Sequence, residues 1–550
     1  LALDRETDSI MNGTRHPVTG KFKIHGDKDG TIHAFRVEFY MNIGNSWDCS
    51  YPVMELILLS SDGAYNVKNF WAEGKMYLSN IQSRTAFRSF GLIQCSLIRE
   101  EAIEKFAHSI NMRPDLVREK NFYRDATINS FDSTPYGQEL RFCRINQVWK
   151  SLKEKADFEK RYQAVEEFNA HNKWKKRGIS MIPIKYGISY TFRPYNFGNA
   201  YVFIYGDDAS VMIHHGGIEM GQGIHTKLVQ LAADELGIEP RHIRIADSST
   251  DAIPNAASTG ASTGSDLNGA AVVDACEQIY SRLIELIKSD APEPHSIEAG
   301  ARENFMKTNS SFKYLFENAF RGEFKSEEWL SHWKKAWRSL VKYALISRVN
   351  LSAEGHYKSP GFGAIDPSTG KFYEGHGKRI FYYFTYSAAI SEVEIDVLTG
   401  EFNILRTDIA YDAGISLNSK IDYGQVEGGF IQGVGYVTTE NPMYDQNGKL
   451  ITQNTWKYKP PCTKTIPEDF QIHLLRYEPT TDQKNAPLDT YGIQSSKSTG
   501  EPSLVLANSV FFAIKHAIMS SRKEYGHSDW VHIDAPLTVK RIFEFANCQE

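Results

Sequence analysis

His214–Lys227 reads HHGGIEMGQGIHTK, with Gly216, Gly217, Gly221 and Gly223 inside eight residues and Glu219 and Gln222 set among them. The strand-like YVFIY of residues 201–205 precedes it. Residues 226–236 follow with apolar side chains at helical spacing and are closed by Gly237. The pattern predicts a strand, a glycine loop and a helix opening from that loop. Backbone N–H groups at a helix start lack intrahelical partners, and glycine allows close approach, so the loop is expected to face an anion. A single glycine pair would read as a simple chain reversal, but a second loop of the same kind favours a cofactor site.

That second loop is PNAASTGASTGSD at 254–266, leading into a long apolar-periodic helix over 267–287. Gly260 and Ala261 open it, and Ser262, Thr263 and Ser265 bring hydroxyls to the helix start, a suitable phosphate cradle. A flexible Ser/Gly linker is the competing reading, but a linker rarely abuts so apolar a helix. Hairpins are expected over 21–42 and over 388–411. The apolar run 54–60 fits strand or helix, and a helix is expected over 92–110. Residues 126–178 are charged and helical in pattern, a bridge with a solvated face, and 289–345 reads as a helical insert. Hairpins mixed with helices predict an α+β architecture rather than a doubly wound parallel sheet. The segments expected are 1–125, 126–178 and 179–545.

Net charge is −5, so no basic field recommends nucleic acid or an anionic membrane. No uninterrupted apolar run reaches the roughly 18 residues of a membrane helix. Six cysteines are scattered without any C-x-x-C, which argues against zinc, iron–sulfur or disulfide frameworks within these residues and fits a reducing, cytoplasmic setting. The chain starts at Leu1 without methionine, as a fragment or processed product would.

Three further stretches carry chemistry. TAFRSFG at 85–91 delivers Arg88 between Phe87 and Phe90 at a helix start, where a guanidinium can fork onto phosphate or a polarised oxygen. GQVEGGFIQGVG at 424–435 places Gln425 and Gln432 on an apolar helix whose glycines are accounted for by close packing. SSKSTGEPS at 495–503 puts Glu501 immediately before Pro502, which suits the first position of a helix. A lone Glu there reads as charge complementation of the helix start. Beside two anion loops it reads as a general base.

Together GGIEMGQGIHTK, TAFRSFG, STGSDLNG, GQVEGGF and KSTGEPS resemble the molybdenum hydroxylases, the family of aldehyde oxidases and xanthine dehydrogenases. The resemblance runs from about residue 4 to 542 and corresponds to the C-terminal part of the family's molybdopterin-binding region. It implies two molybdopterin-binding subdomains of mixed and antiparallel sheets with helices, the first truncated at its N-terminal side. It implies a molybdenum–molybdopterin cofactor whose metal is held by the pterin dithiolene, with no protein ligand. Gln222 is implied near the metal's oxo group. Arg88, Gly221, Gly260, Ala261 and Ser262 are implied against the cofactor, and Gln425 against the pterin. Glu501 is implied as catalytic base in hydroxylation with water-derived oxygen. Phe90, Tyr190 and Thr191 are implied around the substrate.

Leu56 stands where xanthine dehydrogenases place an arginine, which favours aldehydes or N-heterocycles over xanthine as the small-molecule substrate. Tyr190 replaces a usual phenylalanine, Ser89 a usual glycine, and Leu92-Ile93 a small residue and proline. Family members are homodimers that carry [2Fe-2S] and FAD in domains preceding the region where this chain begins. The alternative reading is a catalytically inactive remnant or assembly module without those electron carriers. A nucleotide-binding protein is disfavoured, since no G-x-x-x-x-G-K-[ST] occurs.

Overall fold

The computed structural model describes residues 2–127, 130–289, 292–319, 324–360, 379–476 and 491–548. Within them the strands, in chain order, are β1 (Val18–Gly26), β2 (Ile32–Gly44), β3 (Asn69–Leu78), β4 (Lys175–Ile188), β5 (Phe197–Ile204), β6 (Val211–His215), β7 (Ile243–Ile245), β8 (Ser352–Lys358), β9 (Tyr383–Asp396), β10 (Phe402–Tyr411) and β11 (Asp469–Leu474). Contacts divide the chain into one unit of Leu1–Thr191 with Phe362–Glu550 and a second of Phe192–Gly361. The segments read from the sequence follow chain order, whereas the chain leaves the first unit and returns to it.

In the first unit, β1 and β2 form the expected antiparallel hairpin, and β3 joins β2 in parallel. The apolar run 54–60 falls in a helix, Ser50–Leu59. A second sheet runs β11-β10-β9-β4, antiparallel except for the β10–β11 pair. Sheet pairing of both signs makes the architecture α+β with mixed sheets. The bridging segment forms helices Ile145–Lys155 and Phe158–His171, which pack within this unit. Helix Asn508–Glu524 lies across β4 and β9 so closely that a Cβ at Gly178 would strike Ala513 O. By length and composition Pro502–Glu524 could cross a membrane, contrary to the expectation that no apolar segment is long enough. The helix is 89% buried over its apolar window, so here it is core. Buried lysines on β4 are paired: Lys185 Nζ meets Asp62 Oδ2 at 2.5 Å and Lys176 Nζ meets Glu524 Oε1 at 2.7 Å. Removing one partner of the Lys185–Asp62 pair would cost ~3–5 kcal/mol, because a buried charge would be left uncompensated.

In the second unit, the sheet order is β7-β6-β5-β8, with β6 and β7 parallel. Helices Ile224–Leu236 and Gly264–Lys288 pack together, the second also against β5 and β8. Gly237 caps the first helix at φ +66° as its position predicts. A Cβ at Gly355 or Gly198 would strike backbone of helix Gly264–Lys288, so these glycines set the helix–sheet distance. The helical insert forms Ile297–Thr308, Ser310–Glu317 and Glu327–Ile346, each started by a side-chain cap, from Ser296, Asn309 and Ser326. It docks through Trp333 Nε1 on Leu236 O at 2.8 Å and Trp337 Nε1 on Ala209 O at 2.9 Å.

Candidate functional site

In the first unit the TAFRSFG turn is built from three successive left-handed residues, Ser89 (φ +73°), Phe90 (φ +43°) and Gly91 (φ +95°). A non-glycine residue there is strained. Ser89 is buried, and its Oγ accepts from Ile93 N at 3.4 Å, which helps hold the turn. The turn projects Arg88 toward the GQVEGGF helix, Ser419–Val437, itself capped by Asn418 accepting from Ile421 N. Arg88 Nη1 donates to Gln432 Oε1 at 2.7 Å, Nη2 to the carbonyl and side-chain oxygens of Gln425 at 3.3 Å each, and Nε to Gly500 O. A Cβ at Gly429 would overlap Ser503 Oγ and come within 2.9 Å of Arg88 Nη2, so this glycine admits the guanidinium. Gly424 and Gly428 differ. Nothing lies within 4 Å of a Cβ there, so close packing does not explain them, and the helix presents open space beside Gln425.

The SSKSTGEPS segment is anchored nearly residue by residue. Lys497 Nζ pairs with buried Asp412 at 2.7 Å, and Lys497 N donates to Ala413 O at 2.8 Å. Ser498 N donates to Tyr383 Oη at 3.0 Å, and Tyr411 Oη donates to Ser498 O at 2.7 Å. Thr499 Oγ1 donates to Asp422 Oδ1 at 3.2 Å and Ser503 Oγ to Gln425 O at 3.2 Å. Glu501 precedes the helix Pro502–Val505, and its side chain makes no capping hydrogen bond. Its company is the fully buried Tyr186 phenol and the Arg88 guanidinium. Burial, reinforced by the Glu501 charge, pushes the Tyr186 phenol well above its ordinary pKa and keeps it a donor. Burial lowers the Arg88 guanidinium from its usual value, and the Glu501 charge opposes that shift.

The residues that the resemblance implies around the substrate fall in the same unit. Phe90 is half-buried in its turn, and Tyr190 and Thr191 are half-buried just after β4. Leu56 is buried in helix Ser50–Leu59, 7% exposed, and brings no donor. Its neighbour Glu55, which the sequence reading passed over, lies beside Thr191, and burial raises its carboxyl above the ordinary range. Tyr186 and the Lys497–Asp412 pair were also missed. The signal for Glu55 was an acid inside the apolar run 53–59. For Tyr186 there was none, since its partner lies in a remote segment.

In the second unit the two glycine-rich loops meet: Ile218 N donates to Thr259 Oγ1 at 3.0 Å. A shallow opening is walled by Gly216, Ala257, Ser258, Thr259, Gly260 and Asn268, among others. Ala261 (φ +51°) and Ser262 (φ +57°) are both left-handed, and Thr263 Oγ1 donates to Gly260 O at 3.2 Å. The expectation of free amides in the first loop is overturned. Gly221 N and Gly223 N each donate to Glu219 Oε1 at 2.9 Å, and His225 N to Glu219 Oε2 at 3.1 Å. Gln222 turns back on the loop, its Nε2 donating to Ile218 O and its Oε1 accepting from Met220 N, both at 2.7 Å. Sequence spacing shows which amides an intrahelical ladder leaves over, but not which side chain takes them.

Among the described residues no three His, Cys, Asp or Glu side chains gather as a metal site. What each unit offers instead is a group of hydrogen-bonding side chains beside exposed small residues. The first unit has the Arg88–Gln425–Gln432 cluster with open space at Gly424 and Gly428. The second has a small-residue opening rimmed by serine and threonine hydroxyls. These residues fit a cofactor that brings its own metal ligands.

Models of the molybdopterin cofactor-binding domain match residues 1–122 and 151–467. Xanthine dehydrogenase of Oryza sativa subsp. japonica is 39% identical over 549 residues, 98% of this chain and 35% of that protein. Xanthine dehydrogenase/oxidase of Gallus gallus is 38% identical over 540 residues, again 98% of this chain and 35% of that protein. The chain thus spans about a third of the length of these curated relatives. Among solved structures, CO dehydrogenase from Oligotropha carboxidovorans shares the fold with a TM-score of 0.76 at 20% identity, covering 100% of this chain and 63% of that one. Aldehyde oxidoreductase from Desulfovibrio gigas does so with a TM-score of 0.71 at 20% identity, covering 99% and 51%.

Proposed function

The chain belongs to the molybdenum hydroxylase family, whose molybdopterin-binding region it spans, and we propose that it carries the reaction centre of an enzyme hydroxylating aldehydes or apolar N-heterocycles. The observation that carries this reading is the Arg88 cluster, which ties Gln425, Gln432 and the Gly500 carbonyl together beside Glu501 and the buried Tyr186.

The cofactor, when bound, supplies a molybdenum centre held through its own dithiolene sulfurs and able to take up two electrons. Within the first unit, Arg88 and Gln425 would hold it. A carboxylate oxygen of Glu501 takes the proton released as water-derived oxygen adds to the electrophilic carbon of the substrate. Tyr186, buried beside Glu501 and kept protonated, presents its hydroxyl as a donor for that carboxylate to take up. Phe90 and Tyr190 offer aromatic faces to a flat substrate, and Thr191, beside Glu55, supplies a polar edge. Electrons leave through iron–sulfur and flavin carriers outside these residues.

Substrate choice turns on Leu56. A guanidinium there would hold the oxygens of a purine, whereas a buried isobutyl group offers no hydrogen bond. A site built to bond a polar substrate rejects analogues strongly, while an apolar wall discriminates by only ~1–3 kcal/mol. Hydroxylation of a purine is the second reading, favoured by the names of the curated relatives. An inactive remnant or assembly module is the third. The test is kcat/KM for xanthine against an aromatic aldehyde, on the complete protein with sulfurated cofactor. The aldehyde is expected to be the better substrate, with Leu56→Arg improving xanthine. Clear preference for xanthine supports the second reading, and no turnover of either by molybdenum-replete protein supports the third.

A further inference from the structure

Glu219 is the one charged residue of the HHGGIEMGQGIHTK loop's central turn, and nothing in the proposed reaction uses it. Its carboxylate faces inward along the chain and closes the turn from Gly221 to His225 through three backbone donors, at 2.9, 2.9 and 3.1 Å. Gly221 (φ +95°) and Gly223 (φ +81°) give the chain the curvature that lets these amides converge. The other flank is fixed as well. Gly217 N donates to Nδ1 of His215 at 3.1 Å, and Ile218 N donates to Thr259 Oγ1 at 3.0 Å. His215 is buried, and its ring stands edge-on to His225 at 5.2 Å. The Gln222 carboxamide lies between Ile218 O and Met220 N. Although burial raises the Glu219 carboxyl, the backbone donors bring it below its ordinary value, so it is ionised at neutral pH.

We infer that Glu219 is a positioning residue: its carboxylate is the loop's own anion, which fixes the turn that sets Gln222 and closes this helix start to phosphate. A phosphate entering here would have to displace a carboxylate that already holds three charge-assisted hydrogen bonds without any entropy of association. A phosphate-bearing ligand is thereby directed to the 258–264 loop. The role assigned to Gln222 rests on the molybdenum reading, whereas the closing of the turn does not.

Backbone amide exchange on the full chain, free of cofactor, tests the turn. In wild type the Gly221, Gly223 and His225 amides are expected to be protected and indifferent to inorganic phosphate. Glu219→Ala should speed their exchange by about tenfold or more, the loss of hydrogen bonds to a charged acceptor. Formate should restore part of the protection, and inorganic phosphate should protect these amides in the variant alone. Glu219→Gln, which keeps the shape but turns an NH2 toward backbone donors, should lose protection without formate rescue. Protection within helix Gly264–Lys288 must stay unchanged, which separates a loop effect from unfolding. Unchanged exchange in Glu219→Ala, or phosphate protection in wild type, overturns the inference. Molybdenum per chain should fall in Glu219→Ala relative to wild type, and an equal content overturns the positioning of Gln222. Wild type that takes up no molybdenum would instead defeat the hydroxylase reading, leaving the exchange result intact.

Discussion

Gly428 and Gly429 are chain neighbours with opposite environments. A Cβ at Gly428 meets nothing within 4 Å, whereas one at Gly429 overlaps Ser503 Oγ and crowds Arg88 Nη2. In a helix interior, replacing glycine with alanine gains roughly 1 kcal/mol where space permits, while overpacking costs ~1–3 kcal/mol. Gly428→Ala is therefore expected to raise the denaturation midpoint of the cofactor-free chain and Gly429→Ala to lower it. Equal effects of the two would refute the packing described. The sequence displayed glycines at four-residue spacing but could not say which ones face a neighbour, since that depends on a loop some seventy residues away. Glu501 was legible from its GEP setting. Tyr186 was not, because a tyrosine in an apolar strand reads as core until the carboxylate opposite it is known.

At the scale of elements, hairpins and helices were read well where periodicity was long. The helix expected over 226–236 is Ile224–Leu236, and that over 267–287 is Gly264–Lys288. What escaped was the filling of loop amides by Glu219, a side-chain choice that periodicity does not encode. Two buried histidines tie elements together: His16 Nε2 meets Ser50 Oγ at 2.8 Å at the start of helix Ser50–Leu59, and His215 holds Gly217 N at the end of β6. Burial lowers each from 6.5 to about 4. The unfolded chain takes up these protons first as pH falls, so the stabilisation is complete above pH 6.5 and is lost between about 6.5 and 4. Each histidine accounts for ~3 kcal/mol over that window. His16→Gln is expected to flatten the pH dependence of the unfolding free energy of the first unit between those values. An unchanged slope would show that His16 titrates normally in the fold.

At the scale of the molecule, the chain closes its first unit with residues from both ends and inserts its second between them, Phe192–Gly361. Reading in chain order could recover the α+β class from its hairpins and helices. It could not recover this nesting, because β4 finds β9 only after the whole second unit has intervened. The same nesting brings Arg88, Gln425 and Glu501, which stand far apart in sequence, into one cluster. We propose Glu501 in that cluster as the general base, and Glu501→Gln in the complete, molybdenum-replete enzyme tests this most directly. Molybdenum content should equal that of wild type while turnover of an aldehyde falls by at least ~10²-fold, the usual cost of losing a general base. Wild-type turnover at equal molybdenum content would contradict the account.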